Sequence, residues 1–354
     1  LTMNQEWDAD KIYVVEPILT AIPIADANFK AYLVANFDTN GDGEISSIEA
    51  KQVTTIDVNT DNIYSLDGIE YFTNLTQLAC IGTSEWDSNS SSYIYKGNLT
   101  KINLNKNTKL DYLDCNNNQL SQLNLNKNSQ LTDLYCGNNQ LSEIDLSSCT
   151  LLKVLHCNSN QLTKLDVSKN TELSSLHCIN NQLTELNLEN NIKLKYLNCR
   201  INQLTVLDLH NNIQLTELSC YSNPLISLDI SNNTKLNYLE CGASPFTELN
   251  VSNNTELTEL SFGFTSITKL DLSNNIKLTN LYCSGNQLTQ LDLSNNTELI
   301  DLQCYSNQLT ELDLSSNTTL QNVSCYDNPL ETIYVFEGYS FFLDKPETTQ
   351  VVVK

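Results

Sequence analysis

The sequence predicts a solenoid, an α/β-type repeat protein that is mostly β, with short parallel strands and a small helical cap at its amino terminus. Residues 155–188 read LHCNSNQLTKLDVSKNTELSSLHCINNQLTELNL and place Cys157 and Cys178 in nearly identical settings, 21 residues apart. A fixed period of about 20 to 50 residues is typical of stacked structural units. The same phase carries Cys115, Cys136, Cys199, Cys220, Cys241, Phe262, Cys283, Cys304 and Cys325.

Alternation of apolar and polar residues predicts two short extended segments in each turn. Leu113 and Cys115 alternate with their neighbours as in a strand with one buried face. Leu123 and Leu125 do the same in the second half of the repeat. Successive turns are therefore expected to stack as two parallel strand ladders, with a spacing of about 4.8 Å.

Asparagines fall at two fixed phases where the chain has to turn. A carboxamide both donates and accepts hydrogen bonds, so it can satisfy the backbone groups of a buried turn. The first phase comprises Asn118, Asn139, Asn160, Asn181, Asn202, Asn223, Asn286, Asn307 and Asn328. The second comprises Asn128, Asn170, Asn191, Asn212, Asn233, Asn254, Asn275, Asn296 and Asn317. We expect two ladders of buried asparagines.

The LxxLxLxxN skeleton of these repeats resembles the leucine-rich repeat family, and specifically its bacterial nested form of ten plus eleven residues. The resemblance covers roughly residues 75–338, about twelve turns. It implies a right-handed, curved solenoid that serves recognition and carries no catalytic chemistry. The cysteine phase corresponds to the third leucine of the skeleton, which is an inward position.

The cysteines are expected to be buried free thiols. Stacked side chains of parallel turns lie about 4.8 Å apart, beyond the Cβ separation of about 3.5 to 4.5 Å in a disulfide. A metal cluster would need bunched ligands, whereas these cysteines are spread along a line. Phe262 at the same phase indicates an apolar site, which suits cysteine as a small hydrophobe. The alternative is a chain of disulfides, which would suit an exported protein.

Residues 38–49, DTNGDGEISSIE, match the twelve-residue EF-hand calcium loop, and Gly43 stands where that loop turns sharply. The single loop is similar to dockerin-like calcium modules, so the resemblance implies a structural Ca²⁺ that orders a cap over the first turn. A helix spaced by Phe29, Leu33 and Phe37 is predicted before the loop, and a capped helix after it. The predicted ligands are Asp38, Asn40, Asp42, Glu44 through its carbonyl, Ser46 and Glu49.

Four segments follow from these patterns. Residues 1–22 are expected to be a flexible amino-terminal segment, and residues 23–74 an EF-hand-like cap leading into the first turn. Residues 75–338 form the predicted solenoid, and residues 339–354 a carboxy-terminal cap made of a closing strand or hairpin. An insertion near residues 84–97 is expected to emerge as a loop, with Trp86 either extending a binding surface or packing over the edge of the coil.

Outward positions beside the cysteine strand carry aromatic rings, which suit the recognition of sugars or protein loops. The predicted ligand-binding residues are Tyr112, Tyr135, His156, His177, Tyr196, Arg200, Tyr221, Tyr238, Tyr282, Tyr305, Tyr326 and Trp86. The opposite segment carries an acidic stripe, which is either a solubilising surface or a second binding surface. The stripe comprises Asp145, Asp166, Asp208, Asp229, Asp271, Asp292 and Asp313.

Composition and charge narrow the function. The formal net charge of −23 disfavours nucleic acid and anionic membrane surfaces as partners. No apolar run reaches the length of about 18 residues expected of a membrane-inserted helix, and the start, LTMNQEWDADK, lacks the basic and apolar regions of a signal peptide. His156 and His177 have no matching nucleophile and acid, so no enzyme is predicted.

We therefore expect a secreted or surface-displayed recognition module of a bacterium, whose signal or anchor is not part of this sequence. It would bind a protein or glycan ligand through its tyrosine-rich strand face and hold a structural calcium in its cap. The alternative is a structural spacer or stalk with no specific ligand.

Overall fold

The structure, a computed structural model, describes residues 20–88 and 90–354. In these ranges the chain forms a mostly-β solenoid around a parallel sheet of 14 strands, which confirms the predicted fold class. Residues 1–19 of the predicted flexible segment lie outside the described residues. None of the helices in the described ranges has the length and apolar character to cross a bilayer.

The amino-terminal cap begins with helix α1, Ala27–Phe37, as the spacing of its apolar residues predicts. The carboxylate of Asp26 accepts a hydrogen bond from the backbone N–H of Phe29 at 3.0 Å and so caps the helix. Phe29 and Leu33 are fully buried and belong to the same hydrophobic core as the solenoid. The cap is therefore packed onto the coil and not tethered beside it.

A second short helix, α2, spans Ser47–Ala50 and carries the predicted cap. Ser46 Oγ accepts from the backbone N–H of Glu49 at 3.2 Å, and Glu49 Oε2 accepts from the backbone N–H of Ser46 at 2.9 Å. This reciprocal pair is a capping box. A 3₁₀ turn at Ile69–Tyr71 follows the first strand of the coil.

The strands are numbered in chain order. They are β1 Thr55–Asn59, β2 Gln77–Ile81, β3 Ser84–Asp87, β4 Ser92–Tyr95, β5 Tyr112–Asp114, β6 Asp133–Tyr135, β7 Val154–His156, β8 Ser175–His177, β9 Tyr196–Asn198, β10 Glu217–Ser219, β11 Tyr238–Glu240, β12 Glu259–Ser261, β13 Asn280–Tyr282, β14 Asp301–Gln303, β15 Glu311–Asp313, β16 Asn322–Ser324, β17 Thr332–Val335, β18 Phe342–Asp344 and β19 Gln350–Val353.

The main sheet runs β1, β2, β5 to β14, β16 and β18, with every neighbouring pair parallel. From β5 to β16, the strands of this sheet pair in register at steps of 21 residues, so that Leu113 lies beside Leu134 and Leu134 beside Leu155. The sheet extends beyond the predicted solenoid at both ends, because β1 lies in the expected cap region and β18 in the expected closing segment. The terminal segment adds β18 and β19 as further parallel strands instead of a hairpin.

Leucines and cysteines fill the inside of the coil. The central residue of each three-residue strand from β5 to β16 is buried, and so is the residue that follows the strand, which is a cysteine except after β12 and β15. All twelve cysteines are free and buried, as their linear spacing predicts. Burial raises the pKa of the Cys157 thiol to about 12, and Phe262 is equally buried at the same phase.

The second extended segment of each turn does not form a continuous strand ladder, so that expectation is wrong for most of the coil. Among the described residues, only β15, β17 and β19 pair on that side, in a three-stranded parallel sheet. In earlier turns Leu123 and Leu125 are buried as predicted, but they lie outside any strand. Alternation determines which side chains face the core, and it does not determine whether neighbouring backbones come within hydrogen-bond distance.

The first asparagine ladder ties each turn to the preceding one. Asn139 Nδ2 donates to the carbonyls of Cys115, Cys136 and Gly137 at 3.0, 3.2 and 3.1 Å. Its Oδ1 accepts from the backbone N–H of Leu120 at 2.9 Å. One buried side chain therefore connects two turns and satisfies three carbonyls and one amide.

The second asparagine ladder is bonded differently. Asn254 Nδ2 donates to the carbonyls of Ile230 and Asn233, at 3.1 and 2.9 Å, while its Oδ1 has no hydrogen-bond partner in the described ranges. Cys149 replaces an asparagine in this ladder and places its Sγ 3.7 Å from the carbonyl oxygen of Asn128. The ladder therefore connects turns through its donor side only.

Replacing Asn254 with alanine should lower the free energy of unfolding by about 2 kcal/mol, because two buried hydrogen bonds and their packing are lost. Urea unfolding followed by circular dichroism measures the change. The matched control is Asn253→Ala, whose exposed side chain donates a single bond to the Ser231 carbonyl; it should cost less than about 0.5 kcal/mol. Equal losses in the two variants would contradict a structural role specific to the ladder.

Candidate binding face

The outward side of the main sheet carries the predicted ligand-binding residues, and we call it the sheet face. In each three-residue strand the first and third residues point outward, and the residue after the cysteine extends the same surface. Register stacking arranges these positions in three columns, so the predicted single strip is in fact three columns wide. The strand-start column holds Tyr112, Tyr196 and Tyr238; the strand-end column Tyr135, His156, His177 and Tyr282; the third column Arg200, Tyr221, Tyr305 and Tyr326.

A first aromatic group lies on β5 to β8. The ring centroids of Tyr112 and Tyr135 are 5.6 Å apart, and those of Tyr135 and His156 are 4.9 Å apart. His156 and His177 stack face to face at 4.1 Å, with an angle of 2° between their planes. Strand register thus joins residues from four turns into one continuous surface.

The two stacked imidazoles are held neutral. Burial lowers the pKa of His156, the nearby His177 lowers it further, and Asp133 opposes both, giving a value of about 4. Burial also lowers the pKa of His177. Both rings therefore present uncharged faces at physiological pH.

A second group surrounds the single arginine of the sheet face. The Arg200 guanidinium carbon lies 5.4 Å from the centre of the Tyr221 ring, and Nη1 lies 3.4 Å from Glu240 Oε2. The Tyr238 hydroxyl donates to the same carboxylate oxygen at 3.4 Å. The Arg200 guanidinium is thus already paired with a carboxylate and an aromatic face.

A third group lies near the carboxy-terminal end. Tyr305 and Tyr326 stack at 4.7 Å with nearly parallel planes, and Tyr326 is 40% exposed. The Tyr282 hydroxyl accepts from Asn280 Nδ2 at 2.9 Å. The predicted tyrosines therefore form separate patches and not one uninterrupted strip.

The predicted insertion is an antiparallel hairpin of β3 and β4. Trp86 and Tyr93 make an edge-to-face contact at 5.1 Å, and both are more than half exposed. Trp86 therefore does not pack over the edge of the coil, which was one of the two alternatives predicted for it. The hairpin leaves the coil directly after β2, beside the strand that carries Tyr112.

The acidic stripe has a local structural role. Asp166 Oδ1 accepts from the backbone N–H of Ser168 at 2.9 Å, and Asp271 repeats this bond with Ser273. Such side-chain-to-backbone bonds stabilise turns. The same bond occurs at Asp145, Asp208, Asp229, Asp292 and Asp313.

The predicted calcium loop is wound tightly around Asp38. Asp38 Oδ1 accepts from the backbone N–H of Gly41 at 2.7 Å, and Oδ2 accepts from that of Gly43 at 2.8 Å. Gly41 and Gly43 have φ angles of +74° and +80°, which only glycine adopts freely. Neither position would bring a Cβ within 4 Å of another heavy atom, so backbone conformation and not space selects glycine.

Glu49 closes the loop. Its Oε1 accepts from the backbone N–H of Thr39 and its Oε2 from that of Ser46, both at 2.9 Å. Although burial raises the pKa of Glu49, the hydrogen bonds from Ser46 and Thr39 outweigh it and lower the pKa to about 2. The carboxylate is therefore ionised throughout the physiological range.

The donor chemistry of the loop suits calcium, which prefers oxygen ligands. Asn40 Oδ1 and Asp42 Oδ1 each accept only one backbone N–H, and each keeps a lone pair for a cation. The Glu44 side chain pairs with Lys30 at 2.5 Å, and in a loop of this type the residue at this position contributes its backbone carbonyl to the ion. Within the described part of the chain, no group of three or more His, Cys, Asp and Glu side chains already converges on a metal position, and calcium stays a prediction.

A cleft on the sheet face includes a residue that the sequence patterns did not single out. It has a volume of about 300 Å³, and Tyr221, Tyr282, Tyr305 and Phe264 line it. Phe264 has φ of +58° and is 58% exposed. A bulky aromatic residue in the left-handed region is uncommon, and the other turns have Asn, Ser, Gly, Ala, Ile or Asp at this phase. That departure was the sequence signal for Phe264.

Comparisons with known proteins agree with this architecture. A family model described as leucine rich repeats (2 copies) matches residues 129–170. The functional domain of InlJ from Listeria monocytogenes, described as including a cysteine ladder, is similar with a TM-score of 0.75 and 35% identity, covering 90% of this chain and 77% of that one. An internalin (InlF) from Listeria monocytogenes gives a TM-score of 0.69 at 22% identity, covering 92% of this chain and 94% of that one.

A plant structure shares the fold alone. The leucine-rich repeat ectodomain of the Arabidopsis thaliana membrane receptor kinase GASSHO1/SCHENGEN3, in complex with Casparian strip integrity factor 2, gives a TM-score of 0.68 at 19% identity; the match covers 87% of this chain and 40% of that one. No match is found among proteins with curated descriptions.

Stacked parallel strands over buried leucine, cysteine and asparagine ladders define a repeat solenoid with an aromatic outer face. With 35% identity to the InlJ domain over most of both chains, the chain belongs to the leucine-rich repeat family. The family resemblance expected from the sequence is thereby confirmed, while the nested form of the repeat and the calcium loop stay predictions.

The stacked histidines should make stability depend on pH. Because the pKa of His156 is about 4 in the folded chain and about 6.5 when unfolded, the unfolded state binds the extra proton between these values. Stability should therefore fall as pH decreases from about 6.5 to about 4. Urea midpoints across this range should fall less in His156→Gln than in the wild type, and NMR should show the His156 pKa rising in His177→Asn. Identical pH profiles for His156→Gln and wild type would rule out this contribution.

Proposed function

We propose that the protein is a secreted or surface-displayed bacterial recognition module that binds a protein ligand through the sheet face, with a calcium ion ordering its amino-terminal cap. The observation that carries this proposal is the concentration of aromatic side chains in three adjacent columns of one rigid sheet. Aromatic rings on a preorganised scaffold bind at low entropic cost.

The distribution of the remaining surface residues supports the same assignment. The opposite side of the coil carries aspartates that hold turns, and these have a structural explanation. Tyr196 and Tyr326, by contrast, are about two-fifths exposed and hold no turn. Exposed aromatic residues on a fixed surface are typical of binding sites. The ectodomain complex of the plant receptor provides a precedent for ligand binding by this fold.

The alternative function, a spacer with no ligand, explains the solenoid but not its outer face. A spacer needs solubility and stiffness, which the acidic surface and the buried ladders already supply. It has no use for Arg200 placed between Tyr221 and Glu240, or for an exposed hairpin carrying Trp86. These features favour recognition.

Calcium would bind in the amino-terminal cap. Bound Ca²⁺ would add a bridging cation among the carboxylates of residues 38–49, and Asp38, Asn40, Asp42 and Glu49 would hold it with the Glu44 carbonyl and Ser46. The loop joins α1 to α2, and Phe29 of α1 is part of the solenoid core. Ordering the loop would therefore stabilise the cover of the first turn, as terminal repeats require.

Ligand binding is tested by probing immobilised protein against arrays of extracellular proteins and of glycans. A protein hit should be lost when Tyr196, Tyr221 and Tyr238 are replaced together by serine. The matched control replaces the exposed Ile192, Ile213 and Ile276 by serine, off the sheet face, and should keep the hit. If folded protein binds nothing on either array, the spacer function is favoured. If it binds only glycans, the ligand is a sugar and not a protein.

Calcium removal should lower the thermal stability of the cap. A site at about 100 times its dissociation constant contributes about 2.7 kcal/mol, so chelation should reduce the melting temperature by several degrees. The response should vanish in Glu49→Gln. It should persist in Glu44→Gln, whose side chain pairs with Lys30 and whose carbonyl is unchanged. An unchanged melt after verified calcium removal would refute this role.

A further inference from the structure

The cleft beside Phe264 lies where the cysteine series and the first asparagine ladder of the coil are interrupted. Phe262 replaces the cysteine of its turn, and Thr265 and Ser244 replace asparagines of the first ladder. Ser244 Oγ donates to the Asn223 carbonyl at 2.8 Å, and the Thr265 hydroxyl donates to Asn286 Oδ1. Positions where a sequence breaks its own local rules are expected at functional sites.

Gly263, which has no side chain, lines the cleft together with two serines, Ser261 and Ser284. In the third column of the sheet face, Gly242, Gly263 and Ser284 lie between Tyr221 and the next ring, Tyr305. A Cβ at Gly242 would lie 2.2 Å from the carbonyl oxygen of Gly263, so no other residue fits without moving the chain. The two glycines therefore place no side chain in the column between Tyr221 and Tyr305, and Gly263 forms part of the cleft wall.

Phe264 and Ser284 complete the lining. The Phe264 ring crosses the following turn, where a Cβ at Gly285 would lie 2.6 Å from a ring carbon. The packing therefore requires glycine at position 285. Ser284 is only 5% exposed, and in the described ranges its hydroxyl has no hydrogen-bond partner. Because Ser284 lines the cleft, a ligand there would supply the partner that a buried hydroxyl needs.

Two carboxylates lie on the strands that line the cleft: Glu259 begins β12 and Asp301 begins β14, and the last residues of these strands, Ser261 and Gln303, line it. Burial and the nearby Glu240 raise the pKa of Glu259, and burial raises that of Asp301, which bonds to the cleft residue Gln303. Burial raises the pKa of Tyr282, one wall of the cleft, and the nearby Asp301 and Glu259 raise it further. Arg200 pairs with Glu240, whereas neither Glu259 nor Asp301 has an ion-pair partner in the part of the chain that the structure describes.

We propose that this cleft is a cation subsite that receives a lysine or arginine side chain of the protein ligand. The inference rests on the proposed function, because it assumes that the ligand is a protein. The faces of Tyr221, Tyr282, Tyr305 and Phe264 attract a cation through their ring quadrupoles. Glu259 and Asp301 supply the opposite charge, and the Ser284 hydroxyl accepts an N–H bond from the guest.

Charge and shape together favour this guest. An acidic side chain would be repelled by the flanking carboxylates, in a chain of net charge −23. A neutral aliphatic guest would fill the cleft but leave the carboxylates uncompensated and the serine hydroxyl unbonded. A basic side chain has an apolar stem to contact the rings and a charged head for the oxygens.

The test uses capped tripeptides, acetyl-Gly-X-Gly-amide, with X as lysine, arginine, norleucine or glutamate. Binding to the full chain is followed by NMR of its tyrosine and phenylalanine rings. The lysine and arginine peptides should shift the Phe264 and Tyr282 signals saturably, with salt-dependent affinity. The norleucine peptide, which has the stem without the charge, should bind about tenfold more weakly, and the glutamate peptide should not bind. Choline is included as a cation from a non-protein source.

Substitutions locate the binding. Ser261→Tyr fills the cleft from a strand position and should abolish the shifts, while Ser294→Tyr, an exposed change on the other side of the coil, should not. Glu259→Gln should weaken lysine binding several-fold, and Glu298→Gln should leave it unchanged. Equal binding of norleucine and lysine, binding of choline without lysine, or full binding by folded Ser261→Tyr would each overturn the proposal.

The tripeptide experiment and the array experiment can fail independently of each other. If an array ligand is lost in the tyrosine variant but no basic tripeptide binds, the recognition function stands and the cation subsite is wrong. If basic tripeptides bind while both arrays stay silent, the cleft chemistry stands and the assignment to a protein ligand fails.

Discussion

The carboxamide of a buried asparagine is the interaction on which the rest of this solenoid depends. Each turn reverses direction inside the protein, where unpaired backbone carbonyls are costly. Asn139 satisfies carbonyls of its own turn and of the preceding turn, and its oxygen holds the amide of Leu120. The second ladder does less, since Asn254 bonds only as a donor. The side with the fuller bonding is also the side with the continuous sheet.

The fixed strand register determines which outward side chains lie next to one another on the surface. Once the ladders hold the turns in step, a residue at an outward phase lies directly beside its counterparts in neighbouring turns. His156 therefore stacks on His177, and Tyr305 on Tyr326, although 21 residues separate each pair. The inward phases hold buried apolar residues, mostly leucine and cysteine, whereas the outward phases vary widely. Variation concentrated there can build a specific binding face without disturbing the core.

The turns around Phe262 show how the scaffold accommodates a departure from the repeat. A larger inward side chain replaces cysteine, and the outward positions Gly242 and Gly263 lose their side chains. Phe264 then adopts a left-handed backbone conformation and an exposed position. The core stays filled, with Phe262 fully buried. The hollow therefore appears on the sheet face and not inside the coil, which is where a ligand can reach it.

The sequence by itself determined the stacking of turns, the burial of leucines, cysteines and asparagines, and the two helices of the cap. These depend on period, alternation and capping residues, which are local. Only the tertiary structure decided that the second segment lacks a continuous ladder, that Trp86 is exposed, and that Tyr221, Tyr282 and Phe264 share one cleft with Ser284. These depend on distances between turns and on where a ring lies over its neighbour. Such distances depend on how all the turns of the coil pack together, and the sequence of a single repeat does not specify them.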